Sequence, residues 1–379
     1  MIRLIYKKII KPILFLFPAD DVHHFFLKTG RFLGKFSFFR WKIKFLMYFK
    51  STFLKQKVLG IDFENPIGLA AGFDYDADLI NILPSICFGF HTIGTVTNLP
   101  YAGNQRPMLG RLPKSKSLLV NKGFKSEGIN KVLEKVKKVA SSATRREGGN
   151  RIPLGISIGS TNKSYLNIKE MADDIIISFM QALNENYFDY FELNISCPNL
   201  INSDNIINKF DTPEGLNLLL LKLEKLSIKR PLFIKMYLEK SENDTLALAE
   251  VSSKYSFVSG LIFSNLVKDR ANPTFNQEEI KNAGRGNFSG KPTEKITNNL
   301  ISAIYKKYKD RFIIIGCGGV FTGADAYEKI KRGASLIQII TGMIYEGPSV
   351  IGKINRELVE LLKKDGYKNI NEAIGVYHK

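Results

Sequence analysis

The chain has 379 residues, 44% of them hydrophobic, with 55 Lys and Arg against 36 Asp and Glu for a formal charge of +19. That length and apolar content support a sizeable core and exclude a disordered chain; no glycine period of three and no sustained heptad leaves room for collagen or a coiled coil. Cys87, Cys197 and Cys317 form no CxxC pair, which excludes a disulfide scaffold and fits a reducing compartment.

The charge is concentrated at the start. Residues 1–57 carry 13 Lys and Arg against two acids, Asp20 and Asp21, so +11 of the charge lies there. The same stretch holds 11 of the 27 Phe and the only tryptophan, Trp41. Basic residues interleaved with aromatics read as a membrane surface before they read as nucleic acid. No bilayer span is expected: the apolar run Ile13–Phe17 stops at Pro18, far short of the roughly 20 residues a spanning helix needs. Leu4, Ile5, Ile9, Ile13 and Leu14 recur at near-helical spacing with Lys7, Lys8 and Lys11 between them. After Pro18, Asp20 or Asp21 is placed to cap a second helix carrying Val22, Phe25, Phe26, Phe32 and Leu33. The prediction is an amphipathic hairpin over residues 1–57, lying on a membrane or packed on the main domain, followed by a single domain over 58–379.

Val58–Pro66 reads as a small hairpin. Eight β-rich runs follow, most of them separated by helical stretches: Ile67–Phe73, Phe90–Thr97, Pro153–Ser160, Tyr190–Ser196, Leu232–Tyr237, Gly260–Asn265, Phe312–Gly319 and Ser335–Thr341. They are nearly continuous in apolar residues, as strands buried on both faces are. Eight βα units in about 280 residues predict an α/β fold, a (βα)8 TIM barrel, over its competitor, a doubly wound sheet. Ser141–Arg151 and Lys268–Gly290 read as polar loops, the second long enough to be a lid or binding segment.

In such a barrel the chemistry sits where strands end. The first strand ends in Ala70-Ala71-Gly72-Phe73-Asp74, small enough for a flat ligand to approach the backbone. The second ends in Gly94-Thr95-Val96-Thr97. The fourth runs into Asn194-Ile195-Ser196-Cys197-Pro198-Asn199, where two carboxamides suit a ring with amide and carbonyl edges. A thiol between them can take a proton from carbon; its ordinary pKa of about 8.5 is within reach of neutral pH. The alternative for Cys197 is an inert buried residue. Lys235, inside the fifth strand, needs an anion or a route to the rim. The sixth strand ends in Ser264-Asn265, the seventh in Gly316-Cys317-Gly318-Gly319 and the eighth in Thr341-Gly342. Glycine turns after the last two strands are the usual phosphate site of this fold. A phosphate-bearing planar cofactor, FMN in preference to PLP or a metal, accounts for this set, since His23, His24, His91 and His378 do not cluster with carboxylates.

These motifs resemble dihydroorotate dehydrogenases, specifically the membrane-associated, quinone-using class. The likeness runs from the N-terminal helices to about residue 355. It is carried by Asn65-Pro-Ile-Gly-Leu-Ala-Ala-Gly-Phe-Asp74, Gly89-Phe with Ile-Gly-Thr-Val-Thr97, Gly103-Asn with Arg-Pro-Met-Leu-Gly-Arg111, Asn121-Lys-Gly-Phe124, Asn194–Asn199, Ser289-Gly-Lys-Pro292, Gly316–Gly319 and Thr341–Pro348. The resemblance implies FMN held by Ala71, Gly72, Thr95, Ser157, Asn194, Lys235, Ser264, Gly290, Gly318, Gly319, Thr341 and Gly342. It implies dihydroorotate or orotate at Asn121, Asn194, Asn199 and Asn265, bordered by Tyr75, Lys122, Gly123 and Phe124. Cys197 would remove the C5 proton as hydride leaves C6 for the flavin, in de novo pyrimidine (UMP) biosynthesis. Electrons would pass to a quinone entering between the N-terminal helices. The implied setting is peripheral, on the cytoplasmic side of a membrane, with no nucleic acid and no metal.

The pattern departs from the class at four places. Cys197 stands where this class has a serine base. Tyr75 replaces a lysine after the Ala-Ala-Gly motif, and Lys122, next to Asn121, is the candidate to supply the missing cation. Asn121-Lys-Gly-Phe is one residue shorter than usual, and Ser157 takes the place of an asparagine. The readings that compete are a dihydrouridine synthase acting on tRNA, a membrane-bound FMN barrel without turnover, and a Cys-type dehydrogenase reducing fumarate or NAD.

Overall fold

The structure, a computed structural model, describes residues 2–140, 151–201, 210–263 and 265–379. Residues 2–15 are helical, as α1 (Ile2–Ile5), a π-turn over Tyr6–Ile10, and α2 (Lys11–Phe15). Pro18 ends this run, because its ring disfavours helical backbone at the residue before it. It also opens α3 (Ala19–Gly34). The expected cap by Asp20 or Asp21 is absent, since Pro18 holds the N-cap position without a side-chain bond. Asp20 Oδ2 instead accepts the backbone N–H groups of Met108 and Leu109, at 2.9 and 3.3 Å, and so fastens α3 to that segment. A further helix, α4 (Ser37–Met47), lies beyond the expected pair. α3 packs so closely on residues 79–82 that a Cβ on Gly30 would run into Leu79.

The hairpin pairs β1 (Gln56–Val58) with β2 (Ile61–Phe63). The barrel strands are β3 (Ile67–Leu69), β4 (Phe90–Val96), β7 (Leu154–Ile158), β8 (Tyr190–Asn194), β9 (Leu232–Lys235), β10 (Val258–Phe263), β12 (Ile313–Cys317) and β13 (Leu336–Ile339). All their pairings are parallel, and the ring closes in the order β3-β4-β7-β8-β9-β10-β12-β13. Seven of the eight expected runs contain their strands; the sixth, Gly260–Asn265, only overlaps β10, which begins two residues earlier at Val258. The strands stop sooner than expected, because the last residues of most runs turn outward into the mouth. The Val58–Pro66 hairpin is present, and Phe63 seats it on Phe90 with ring centroids 5.6 Å apart.

One antiparallel sheet falls outside the expected set. β5 (Leu109–Leu112), β6 (Ser117–Val120) and β11 (Asn287–Gly290) form a three-stranded sheet. The Lys268–Gly290 segment is therefore no simple loop: it contains the helix Gln277–Asn282 and ends in β11. The Ser141–Arg151 reading falls almost wholly outside the described residues.

The period of two along a strand sorts the interior into layers. Phe90, Tyr190, Phe233 and Leu336 form an apolar floor over the hairpin. Two residues on, Thr92, Glu192 and Gln338 form a buried polar layer. Thr92 Oγ1 donates to Glu192 Oε1 at 2.7 Å, and Gln338 Nε2 donates to the same oxygen at 2.6 Å. Lys235 and Asn194 follow on the same faces and sit side by side across β9 and β8. Strand parity alone therefore carries an ammonium and a carboxamide to the open end.

Candidate functional site

A cavity of about 400 Å³ occupies that open end and continues under the N-terminal helices. Its barrel wall includes Ala71, Gly72, Thr95, Asn194, Cys197 and Lys235, joined by Gly290, Gly318, Gly319, Thr341 and Gly342. Tyr75, Lys122, Gly123, Phe124, Asn199 and Asn265 also line it. Two residues named from sequence do not. Ser157 is fully buried behind Thr95, their hydroxyls 3.0 Å apart, and Thr95 in turn accepts from Asn194 Nδ2 at 2.7 Å. Asn121 is buried with its Oδ1 accepting from Asn104 at 2.9 Å. Ser264 lies outside the described residues.

Lys235 is 6% exposed, and its ammonium has no hydrogen-bond partner among the described residues. The buried Glu192 supplies opposite charge below it. Burial raises the Glu192 pKa, and the Lys235 charge works against that rise. On the facing wall the backbone is glycine. Gly290 and Gly319 have φ of 87° and 73°, and a Cβ on Gly290 would strike the Lys116 carbonyl oxygen. The short helix Thr341–Glu346 begins at this wall, and its leading N–H groups have no intrahelical acceptor. A buried cation with glycine turns and free N–H groups in the same cavity suits an anionic group.

The Cys197 loop is held by carboxamides. Asn265 Nδ2 donates to the Ser196 carbonyl and hydroxyl at 2.6 and 2.7 Å. Asn199 donates to the Val120 carbonyl at 3.1 Å and accepts from Asn287 at 2.6 Å. Burial pushes the Cys197 thiol up to about 11, although the Asn199 N–H and the charges of Lys235 and Lys268 oppose it. Cys197 is therefore a thiol and not a thiolate near neutral pH.

Tyr75 and Lys122 meet away from these carboxamides. Tyr75 Oη lies 2.8 Å and Lys122 Nζ 3.0 Å from Nδ1 of His23 on α3. The ammonium also sits 4.2 Å from the centre of the Tyr75 ring. His23 carried no role in the sequence, since only the docking of α3 brings it here. Arg111, quoted there only as part of a motif, lines the cavity too; it donates to the Phe17 carbonyl at 2.8 Å and lies over Phe15. Gln338 and Cys317 complete the wall. His91 Nε2 lies 3.1 Å from Asp74 Oδ2, a buried structural pair outside the cavity. No group of three metal-ligating side chains occurs among the described residues.

Outside the cavity, the N-terminal helices expose Leu4, Ile9, Leu16, Phe17, Phe38, Trp41 and Phe45, with Leu16 83% and Phe45 78% exposed. None of the described helices is long and apolar enough to cross a membrane.

The family model for dihydroorotate dehydrogenase matches residues 53–362. Dihydroorotate dehydrogenase (quinone) of Christiangramia forsetii is 34% identical over 365 residues, covering 94% of this chain and 99% of its own. The protein of the same description from Trichodesmium erythraeum is 33% identical, covering 99% of each. Among solved structures, Eimeria tenella DHODH in complex with ferulenol superposes with a TM-score of 0.82 at 26% identity, covering 96% of both chains.

Proposed function

The chain belongs to the dihydroorotate dehydrogenase family, in its quinone-type class, and oxidises dihydroorotate in pyrimidine biosynthesis; from that premise we propose how its own residues divide the work. The barrel mouth holds FMN. Lys235 would stabilise the negative charge that develops on the reduced flavin ring, Ala71, Gly72 and Thr95 are small enough to line a flat ring, and Gly290, Gly318, Gly319, Thr341 and Gly342 would hold the phosphate through backbone N–H groups. Bound there, FMN supplies a two-electron acceptor that can hand electrons on to a quinone. The observation that carries this reading is the buried Lys235 ammonium, with no hydrogen-bond partner among the described residues, in a cavity with glycine-lined backbone.

Asn194, Asn199 and Asn265 bind the amide and carbonyl edges of dihydroorotate. Cys197 removes the carbon-bound proton as thiolate. A buried thiolate is scarce at neutral pH but strongly basic, which suits a weakly acidic C–H. The apolar end of the cavity, between α3 and the barrel, takes the quinone. The exposed Phe, Leu and Trp41 of the helices, with Lys7, Lys8, Lys42 and Lys44 among them, rest on an anionic membrane surface from which a quinone enters.

The cofactor assignment is tested by releasing flavin from the purified full-length protein with heat and identifying it. FMN at one per chain supports the reading; FAD, or a colourless protein that binds no added FMN, contradicts it.

A further inference from the structure

The cluster of His23, Tyr75 and Lys122 belongs to neither the carboxamide group nor the glycine wall. It lines the cavity that continues under α3, whose wall also includes Val22, Phe26, Leu33, Ile43 and Ile340. The hydrogen-bond arithmetic is restrictive. An ammonium can only donate, so His23 Nδ1 must carry the lone pair. Its Nε2 then bears the hydrogen and donates to the Phe73 carbonyl at 2.8 Å. Both Lys122 and Tyr75 compete for that single lone pair. One donor of the pair is thus poorly served, and the Lys122 ammonium keeps two further N–H groups, with His23 as the ammonium's only hydrogen-bond partner among the described residues. The cluster therefore presents spare donors to a largely apolar cavity, whose lining also carries Arg111 and Lys125.

A molecule with an apolar body and carbonyl oxygens fits such a cavity, and a quinone is one. Resting on the quinone reading above and deepening it, we propose that Lys122 is the acid of quinone reduction, holding a carbonyl oxygen through an N–H and protonating it. As two electrons taken from dihydroorotate enter the quinone, one oxygen takes the Lys122 proton. An N–H bond breaks, an O–H bond forms, and a neutral amine remains. The second oxygen takes its proton from water, and the amine is reprotonated from water when the quinol leaves. His23 and Tyr75 are positioning residues that aim the ammonium.

The electrostatics agree with this role. Burial lowers the Lys122 pKa to about 7, with Asp20 of α3 opposing the shift and Lys125 adding to it. Burial, with Lys122 next, holds His23 well below its usual pKa, so the ring stays neutral and the acceptor survives.

The test uses FMN-loaded full-length protein with Lys122→Met and Lys122→Arg. Each is reduced anaerobically with dithionite, then mixed with decylubiquinone or a short-chain menaquinone analogue while flavin reoxidation is followed between pH 5.5 and 9. Binding of the oxidised quinones to the oxidised protein is measured by calorimetry. Lys122→Met should slow reoxidation about 10²-fold or more and weaken quinone binding about 10-fold. Lys122→Arg should bind quinone within about threefold of wild type yet reoxidise at least tenfold slower, since a guanidinium does not give up its proton. Wild type should lose rate above about pH 7, and both variants should lose that limb. Reoxidation at the wild-type rate in either variant overturns the proposal. So does a Lys122→Met protein that bleaches more slowly with dihydroorotate but reoxidises normally, which would place the lysine on the first substrate. Dithionite bypasses dihydroorotate, so a wild type that dihydroorotate fails to bleach would count against the proposed function and leave this step independently measured.

Discussion

The side-chain amide of Asn265, at the end of β10, donates to the Ser196 carbonyl at 2.6 Å, one residue before Cys197. The thiol is therefore aimed from two strands away in the barrel, β9 lying between β8 and β10, and not by its own loop alone. Asn265→Ala removes both bonds to Ser196 and should let the thiol wander. We expect flavin reduction by dihydroorotate to slow about 10-fold to 100-fold, since misplacement of about 1 Å costs on that scale, with the flavin still bound. Stopped-flow bleaching of the variant checks this.

The raised pKa of Cys197 fixes the sign of a pH effect. Below about 11 the thiolate is the minor form, so the active fraction grows about tenfold per pH unit. Reduction of the flavin should accelerate steadily from pH 6 to 10 without a plateau near 8.5. A plateau at neutral pH would mean that substrate binding lowers the thiol pKa.

Lys235 predicts a binding effect. Lys235→Met should weaken FMN binding by about 10-fold to 100-fold, the value of a hydrogen bond to a charged group, about 1.5–3 kcal/mol. Titration of the apoprotein with FMN, followed by quenching of flavin fluorescence, measures it.

Arg3 and Lys7 both pair with Glu346, tying the first helix to the end of the barrel. Burial raises the Glu346 pKa, but the hydrogen bonds and charges of these two partners outweigh it, and the net shift is downward. A depressed carboxylate pKa contributes stability that is present above the ordinary value and lost as pH falls through the folded one. Docking of residues 2–15 should therefore weaken below about pH 4.5. Glu346→Gln should mimic this at neutral pH by about 1 kcal/mol, given partners whose side chains are 32% and 35% exposed. Faster proteolytic clipping of the first 15 residues is the readout, about fivefold.

Trp41 is the only tryptophan and is 61% exposed. Its emission should shift to the blue when vesicles containing phosphatidylglycerol are added, and the shift should shrink in 0.5 M salt. Unchanged emission would place α4 away from the lipid.

The barrel was legible because each of its strands is a short apolar run bounded by turns, and eight such runs leave few alternatives. Strand parity also foretells the inward Lys235 and Asn194. The β5–β6–β11 sheet was hidden, since its strands are four residues long and β11 pairs across more than 160 residues with β6. No local pattern encodes such a pairing. Asp20 misled for a similar reason: an acid two residues after a proline looks like a cap, but its acceptor capacity is spent on Met108 and Leu109. The Tyr75 and Lys122 departures looked like a change at the substrate. Only the docking of α3 shows that both side chains turn to His23. Ser157 likewise meets Thr95 and not the cavity.

The central claim is that Cys197 takes the proton while the flavin at Lys235 takes the electrons. Anaerobic mixing of the yellow full-length protein with dihydroorotate, beside Cys197→Ala, tests it most directly. The account predicts bleaching of the wild type in a single turnover and a rate lower by about 10²-fold to 10⁴-fold in Cys197→Ala with FMN still bound. Equal bleaching in both proteins would contradict Cys197 as the base, and an FMN-loaded wild type that dihydroorotate does not bleach would contradict the proposed division of the site.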